Sequence, residues 1–254
     1  MNKILEDIIS YKKEYIKTIT VKGERNRKMH RLEDSIKDGK INIIAEIKAS
    51  SPSAGFINNI DLNEILPVYM QYSSAISVLT DEKFFGGSFE RLKTVADRTS
   101  LPVLCKDFII DKVQIDKAYV CGADMILLIT RILDDEKLEE LYDYAKSLGL
   151  DVLVEIHTIQ EVERIKGLQP KITGVNSRDL DTLSISLERA KKILKSIDFN
   201  TLKIAESGIK TKEDIAYLKE SCSAFLIGET LVKNSNGLKE TFLEFLNCCQ
   251  AEDA

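Results

Sequence analysis

Apolar residues gather along this chain into eight short runs, and nearly every run ends on a charged or amide-bearing residue. In order they are INIIAEIKAS (41–50), AISVLTDE (75–82), PVLCKDF (102–108), MILLIT (125–130), DVLVEIH (151–157), KITGVNSRD (171–179), KIAESG (203–208) and AFLIGE (224–229). Runs so rich in Ile, Val and Leu suit strands buried on both faces, as in parallel sheets. Between them, apolar residues recur at helical spacing over 61–72, 88–98, 111–120, 134–148, 158–167, 186–197, 211–220 and 237–249. Several of these segments open on a residue suited to capping a helix: Asp61, Ser88, Asp111, Asp134, Ser186 and Thr211. Residues 3–17 place Ile4, Leu5, Ile8, Ile9 and Ile16 at near-helical spacing, which predicts an amphipathic helix ahead of the first strand.

Strand starts fall about 20 to 34 residues apart, the rhythm of βα units joined by right-handed crossovers. Eight such units predict an α/β chain folded as a (β/α)8 TIM barrel with an additional N-terminal helix. No Pro-, Gly- or Ser-rich linker interrupts them, so 1–254 reads as a single catalytic domain with an N-terminal helical extension of about 1–40. An open doubly wound sheet would carry a GxGxxG turn after its first strand. The KASSPSAG that stands there lacks this spacing.

Charge narrows the function classes. Acidic residues outnumber basic ones by 41 to 36, for a formal charge of −5, which argues against a nucleic-acid binder. The densest basic run, KGERNRKMHR over Lys22 to Arg31, reads as a solvated loop, or else as a rim that attracts an anion. The five cysteines include no CxxC pair, and His30 and His157 lie far from any such pair, so no metal site is expected. The thiols read as small apolar fillers of a reducing compartment. The charged N-terminus is unlike a signal peptide, and no run approaches the roughly 20 apolar residues of a membrane span. A cytoplasmic protein is expected, without nucleic-acid or membrane partners; the sequence does not name a protein partner.

The polar strand ends supply candidate chemistry. Glu46 and Lys48, two apart, share a strand face with Ile44 and point into the barrel; the pair also suits a buried ion pair that fixes register. Lys106 closes PVLCKDF on the same face as Leu104 and Phe108, while Cys105 and Asp107 have the opposite parity. Glu155, Asn176 and Arg178 close the fifth and sixth runs. Each has an ordinary structural reading as well: a hydrogen-bonded acid, a helix cap and a rim salt bridge. Gly208, after Glu206 and Ser207, and Gly228 follow the seventh and eighth runs, where backbone amides of such barrels approach phosphate; tight turning alone is the other reading. Lys48, Lys106 and Arg178 balance Glu46, Glu155 and Glu206, so a phosphate would be held largely by amides. A lysine crowded by cations and partly desolvated is expected to have a lowered pKa.

Taken together, IIAEIKASSPSAG, ISVLTDEKFFGGSFERL, PVLCKDFIID, VLVEIH, GVNSRDLDTL, IAESGI and AFLIGETL resemble the indole-3-glycerol phosphate synthase family from about residue 3 to the C-terminal helix. The resemblance implies a barrel that uses no cofactor or metal. Its substrate would be a sugar phosphate carrying an anthranilate group, 1-(2-carboxyphenylamino)-1-deoxyribulose 5-phosphate, closed to indole-3-glycerol phosphate with loss of carbon dioxide and water. By the same resemblance Lys106 is the general acid on the ribulose carbonyl, Glu155 an acid–base group, and Lys48 a contact to carboxylate or phosphate or the acid for dehydration. Glu46, Asn176 and Ser207 orient the lysines and hydroxyls; Ser51, Arg178 and Glu206 are substrate contacts. Phe85, Phe108, Leu127 and Leu180 form the wall around the anthranilate ring. The chain departs from common family forms at Ala54, Cys105 and Glu229, the last of which would have to turn its carboxylate away from a phosphate. Other readings of the residues are a sugar-phosphate isomerase, an aldolase-type enzyme with Lys106 as nucleophile, and a phosphate-ligand sensor without turnover.

Overall fold

Eight parallel strands close on themselves in chain order: β1 (Ile43–Ile47), β2 (Ala75–Leu79), β3 (Val103–Lys106), β4 (Met125–Ile129), β5 (Asp151–Ile156), β6 (Ile172–Asn176), β7 (Leu202–Glu206) and β8 (Ala224–Ile227), with β8 pairing back onto β1. The computed structural model describes residues 3–48, 50–51, 55–56 and 61–248. Strand parity sorts the apolar residues into two layers, because successive side chains point to opposite faces. Ile44, Leu104, Met125, Leu127, Leu153, Ile172, Ile204 and Leu226 fill the barrel interior. Ile43, Ala45, Cys105, Ile126, Val154, Val175 and Phe225 pack outward against the helices.

Those helices begin where their capping residues stand. Asp61, Ser88, Asp111, Asp134, Ser186 and Thr211 each accept a first-turn backbone N–H, opening α3 (Leu62–Tyr72), α5 (Phe89–Arg98), α6 (Lys112–Val120), α7 (Asp135–Ser147), α9 (Leu187–Ser196) and α10 (Lys212–Leu218). Thr158 does the same for α8 (Ile159–Ile165), in a capping box with Glu161. The last helix, α12, runs over Leu238–Leu246, shorter than the 237–249 that its periodicity predicts. Strands likewise stop earlier than the apolar runs, at Ile47 rather than residue 50 for the first. A two-stranded ribbon, Ser50–Ser51 with Gly55–Phe56, follows β1. Ala54 and Cys249 lie outside the described residues.

The basic run is neither a solvated loop nor an anion-attracting rim. It crosses the amino-terminal end of the barrel, with its arginines holding buried acids that precede or open strands. Asp124, just before β4, takes Arg25 at 2.6 Å and Arg27 at 2.9 Å, and its carboxylate also accepts the N–H of Val103 at 3.0 Å. Arg31 meets Asp151, at the start of β5, at 2.9 Å. The short α2 (Leu32–Ser35) then drives Leu32 into the interior cluster, closing that end.

The N-terminal helix α1 (Lys3–Tyr15) does more than precede the first strand. Its apolar face meets the opposite, carboxyl-terminal end of the barrel, where Ile4, Leu5 and Ile8 line a cavity. One turn beyond, Lys12 is buried between Asp81 and Asp107.

Candidate active site

The cavity that α1 covers has a volume of about 430 Å³, within the range of small-molecule sites. All eight strands aim their carboxyl ends at it. Every residue expected from the sequence to act on or bind substrate lines it except Ser51, which sits in the ribbon after β1 and whose side chain is outside the described residues.

At its floor Lys106, the last residue of β3, reaches across to Glu155 of β5 at 3.3 Å and Glu206 of β7 at 3.2 Å. The two carboxylates are almost wholly buried. Burial works against the lysine's charge, but Glu206, Glu155 and Glu46 more than offset it and raise its pKa. The expected lowered pKa is therefore overturned: carboxylates, not cations, surround this ammonium. The acids share the consequence unequally. Burial pushes Glu206 up, reinforced by its neighbour Glu155, and Lys106 only partly offsets the rise. Glu155 is also penalised by burial, yet Lys106 and His157 hold it below the usual carboxylate range. His157 Nε2 lies 3.2 Å from Glu155 Oε1, a neighbour not singled out from the sequence as part of the site.

On the β1 side Lys48 pairs with Glu46 at 2.8 Å. Gly228, after β8, leaves room for that carboxylate, since a Cβ there would run into Glu46 Oε1. Gly174, inside β6, does the same for Glu206 Oε1 and was not singled out by the motifs. Asn176 accepts the backbone N–H of Arg178 at 3.0 Å, a local turn that orients both residues toward the cavity. Arg178 donates to the Leu183 carbonyl at 3.3 Å and stands 3.9 Å from Glu229.

Past β7 the chain takes two left-handed residues in succession, Ser207 at φ 65° and Gly208 at φ 76°. A non-glycine residue in this region is uncommon and concentrates at functional sites. Ser207 is held there by its carbonyl, which accepts from Ser177 Oγ at 2.9 Å. Gly228 begins α11 (Glu229–Lys233) with no side chain capping it, so the first-turn N–H groups remain available to an anion.

The rim carries more charge than the six-residue balance allowed. Lys210 and Lys233 also line the cavity beside these turns. Glu229 gives its carboxylate to Lys233 at 2.7 Å rather than turning out of the cavity altogether. Opposite lies the apolar wall: Phe85, at the end of α4 (Glu82–Phe85), packs against Phe108 with ring centroids 5.9 Å apart. Leu127 and Leu180 extend it, and Ile4, Leu5 and Ile8 roof it. The roof residues were legible as a helix face but not as cavity lining, because nothing local tells which surface an amphipathic helix covers.

Cys105 points outward into the helix-side layer, and Asp107 turns from the cavity centre to Lys12. Among the described residues no group of three or more His, Cys, Asp or Glu comes together as metal ligands would, and no helix is long and apolar enough to cross a membrane.

Comparison with known proteins agrees with this geometry. The family model described as indole-3-glycerol phosphate synthase matches residues 3–242. A protein of that name from Staphylococcus haemolyticus is 44% identical over 246 residues, 93% of this chain and 94% of that one. Another from Bacillus cereus is 42% identical over 243 residues, covering 93% and 95%. Among solved structures, the tryptophan synthase A-subunit of Pyrococcus furiosus superposes with a TM-score of 0.63 over 84% of this chain and 99% of that one. At 16% identity that likeness shows the barrel fold alone. The chain belongs to the indole-3-glycerol phosphate synthase family.

Proposed function

We propose that this chain closes 1-(2-carboxyphenylamino)-1-deoxyribulose 5-phosphate to indole-3-glycerol phosphate, releasing carbon dioxide and water. One observation carries the reading: a partly buried ammonium held by two acids, between an aromatic wall and a rim of cations and helix-start amides. The substrate has the same three parts in the same order, an aryl ring, a carbonyl and a phosphate.

In this reading the anthranilate ring packs on Phe85, Phe108, Leu127 and Leu180, and the phosphate sits by Gly208 and Gly228 with Lys48, Arg178, Lys210 and Lys233 nearby. The ring carbon bearing the carboxylate attacks the ribulose C2 carbonyl while Lys106 gives its proton to the developing alkoxide. The raised pKa keeps this lysine charged, so its positive charge and its proton are both in place where the alkoxide develops. The C–CO2 bond then breaks and its electron pair restores the aromatic ring. Dehydration follows: the new hydroxyl departs with a proton from an acid, and C1 gives up a proton to a base. Glu155, held ionised, is suited to be that base, and Lys48 or Lys106 supplies the acid. Glu46, Asn176, Ser207 and Glu206 hold the lysines and sugar hydroxyls in place. The apolar wall excludes water and strengthens these interactions.

The same reading takes 1–254 as one catalytic domain working in the cytoplasm on a small molecule, with no nucleic acid involved. A Schiff-base role for Lys106 is disfavoured, since a nucleophilic amine must first be neutral. The test is direct: with the carboxyphenylamino ribulose phosphate supplied, indole fluorescence should rise, and the chain, which has no Trp, contributes no such background. Absence of that signal overturns the function. Borohydride trapping of Lys106 on a keto substrate would overturn its role as acid.

A further inference from the structure

Lys12 has no exposed surface, an unusual place for an ammonium. Its Nζ lies 2.9 Å from Asp81 and 2.5 Å from Asp107, both buried as well. The importance of this pairing comes from what each aspartate holds besides the lysine. Asp107 directly follows Lys106, and its carboxylate accepts the N–H of Phe108 at 2.7 Å and the hydroxyl of Thr80 at 2.9 Å. Asp81 accepts the N–H of Phe84 at 2.7 Å, capping the four-residue α4 that ends at Phe85. The helix that carries Lys12 also carries the apolar residues roofing the cavity. One ammonium thus ties the roof to the two strand exits bearing the aromatic wall and the proposed acid.

We infer that Lys12 is a positioning residue for the reaction: it holds α1 closed over the apolar end of the cavity and fixes the exits of β2 and β3 relative to each other. It contacts no substrate in this reading. A helix that needed only anchoring would gain as much from apolar packing, because buried ion pairs rarely outperform hydrophobic replacements. What apolar packing cannot supply is a directed tie to two carboxylates, each already bonded to the backbone of a wall-bearing loop.

The inference rests on the function proposed above, so its test includes a readout independent of turnover. Lys12→Met should raise hydrogen exchange in α1 and around 82–85 and 107–108, while α8 to α10 on the far side stay protected. Its kcat/KM should fall about tenfold or more, mainly through KM, because the lost closure is binding made in ground and transition states alike. Lys12→Met combined with Asp107→Asn leaves one fewer unpaired buried carboxylate; it should recover part of the lost Tm but not the KM, and it serves if the single variant fails to fold. The inference is overturned if either folded variant keeps wild-type KM and kcat within about twofold while only Tm falls, or if exchange in α1 is unchanged. Raised exchange in α1 with a wild-type protein that forms no indole would instead retain the tie and discard the reaction.

Discussion

Lys106 keeps its charge in a partly buried place because two acids from different strands reach it, and this decides what substitutions there will do. Lys106→Met removes the ammonium while keeping an unbranched side chain of similar length. Turnover should fall by about 10²-fold or more while the affinity for indole-3-glycerol phosphate changes little, since an acid acts in the transition state; equal losses in both, by calorimetry and the fluorescence assay, would remove Lys106 from the acid role. Glu206 gives a pH signature. Its pKa is pushed up to about 8 by burial and by Glu155, from the ordinary 4.5 of the unfolded chain. Folding therefore takes up a proton between those values, and this contribution to stability is full below about 4.5 and lost as pH rises toward 8. Glu206→Gln should flatten the fall of Tm over that window in thermal melts, and an unaltered slope would refute the assignment. Strand parity alone placed Glu46, Lys48 and Lys106 inward. The direction of the lysine's shift was not legible, because it depends on Glu206, 100 residues away in the chain.

Elements were legible to the extent that their signals are local. Capping aspartates, serines and threonines name the starts of helices because they bond within their own first turn. Apolar runs overshot the strands by a few residues: Lys106, Asn176 and Glu206 still pair in the ladder, whereas Lys48, Arg178 and Ser207 beyond the strand ends belong to the rim. Gly174 was missed although a glycine inside a strand is itself a sign that another group approaches closely. Its neighbour is the Glu206 carboxylate, with Leu153 Cδ1 at 3.2 Å from where a Cβ would stand. Gly174→Ala should therefore displace Glu206 and lower kcat by about tenfold or more. Gly167→Ala, on the exposed turn after α8 with open space around it, serves as the control for a simple loss of backbone freedom. Equal kinetics in the two variants would show that the glycine is not making room for the acid. The N-terminal helix and the basic run were recognisable as a helix and as charges, but their partners lie on other units of the barrel. No periodicity reports such distant partners.

At the scale of the whole molecule the barrel divides its labour between its ends. The carboxyl-terminal end gathers Lys48, Lys106, Glu155 and Glu206 around the cavity, while the amino-terminal end is sealed by Leu32 and by arginines on Asp124 and Asp151. In the proposed reading, charge at the two ends therefore has different work: chemistry at one, stability at the other. Asp124 is the sharpest place to test this, because it is fully buried and joins two arginines to the backbone of β3. Asp124→Asn leaves both guanidinium groups without their carboxylate, a loss of the kind that costs about 3–5 kcal/mol. Denaturant unfolding should show the midpoint falling with little change in slope, since the surface exposed on unfolding is the same. The folded fraction, assayed well below its Tm, should keep kcat/KM within about twofold of the parent, as the site lies across the barrel. A large kinetic loss in folded Asp124→Asn would mean that the two ends are coupled through the strands, and that the arginine seal belongs to the catalytic machinery after all.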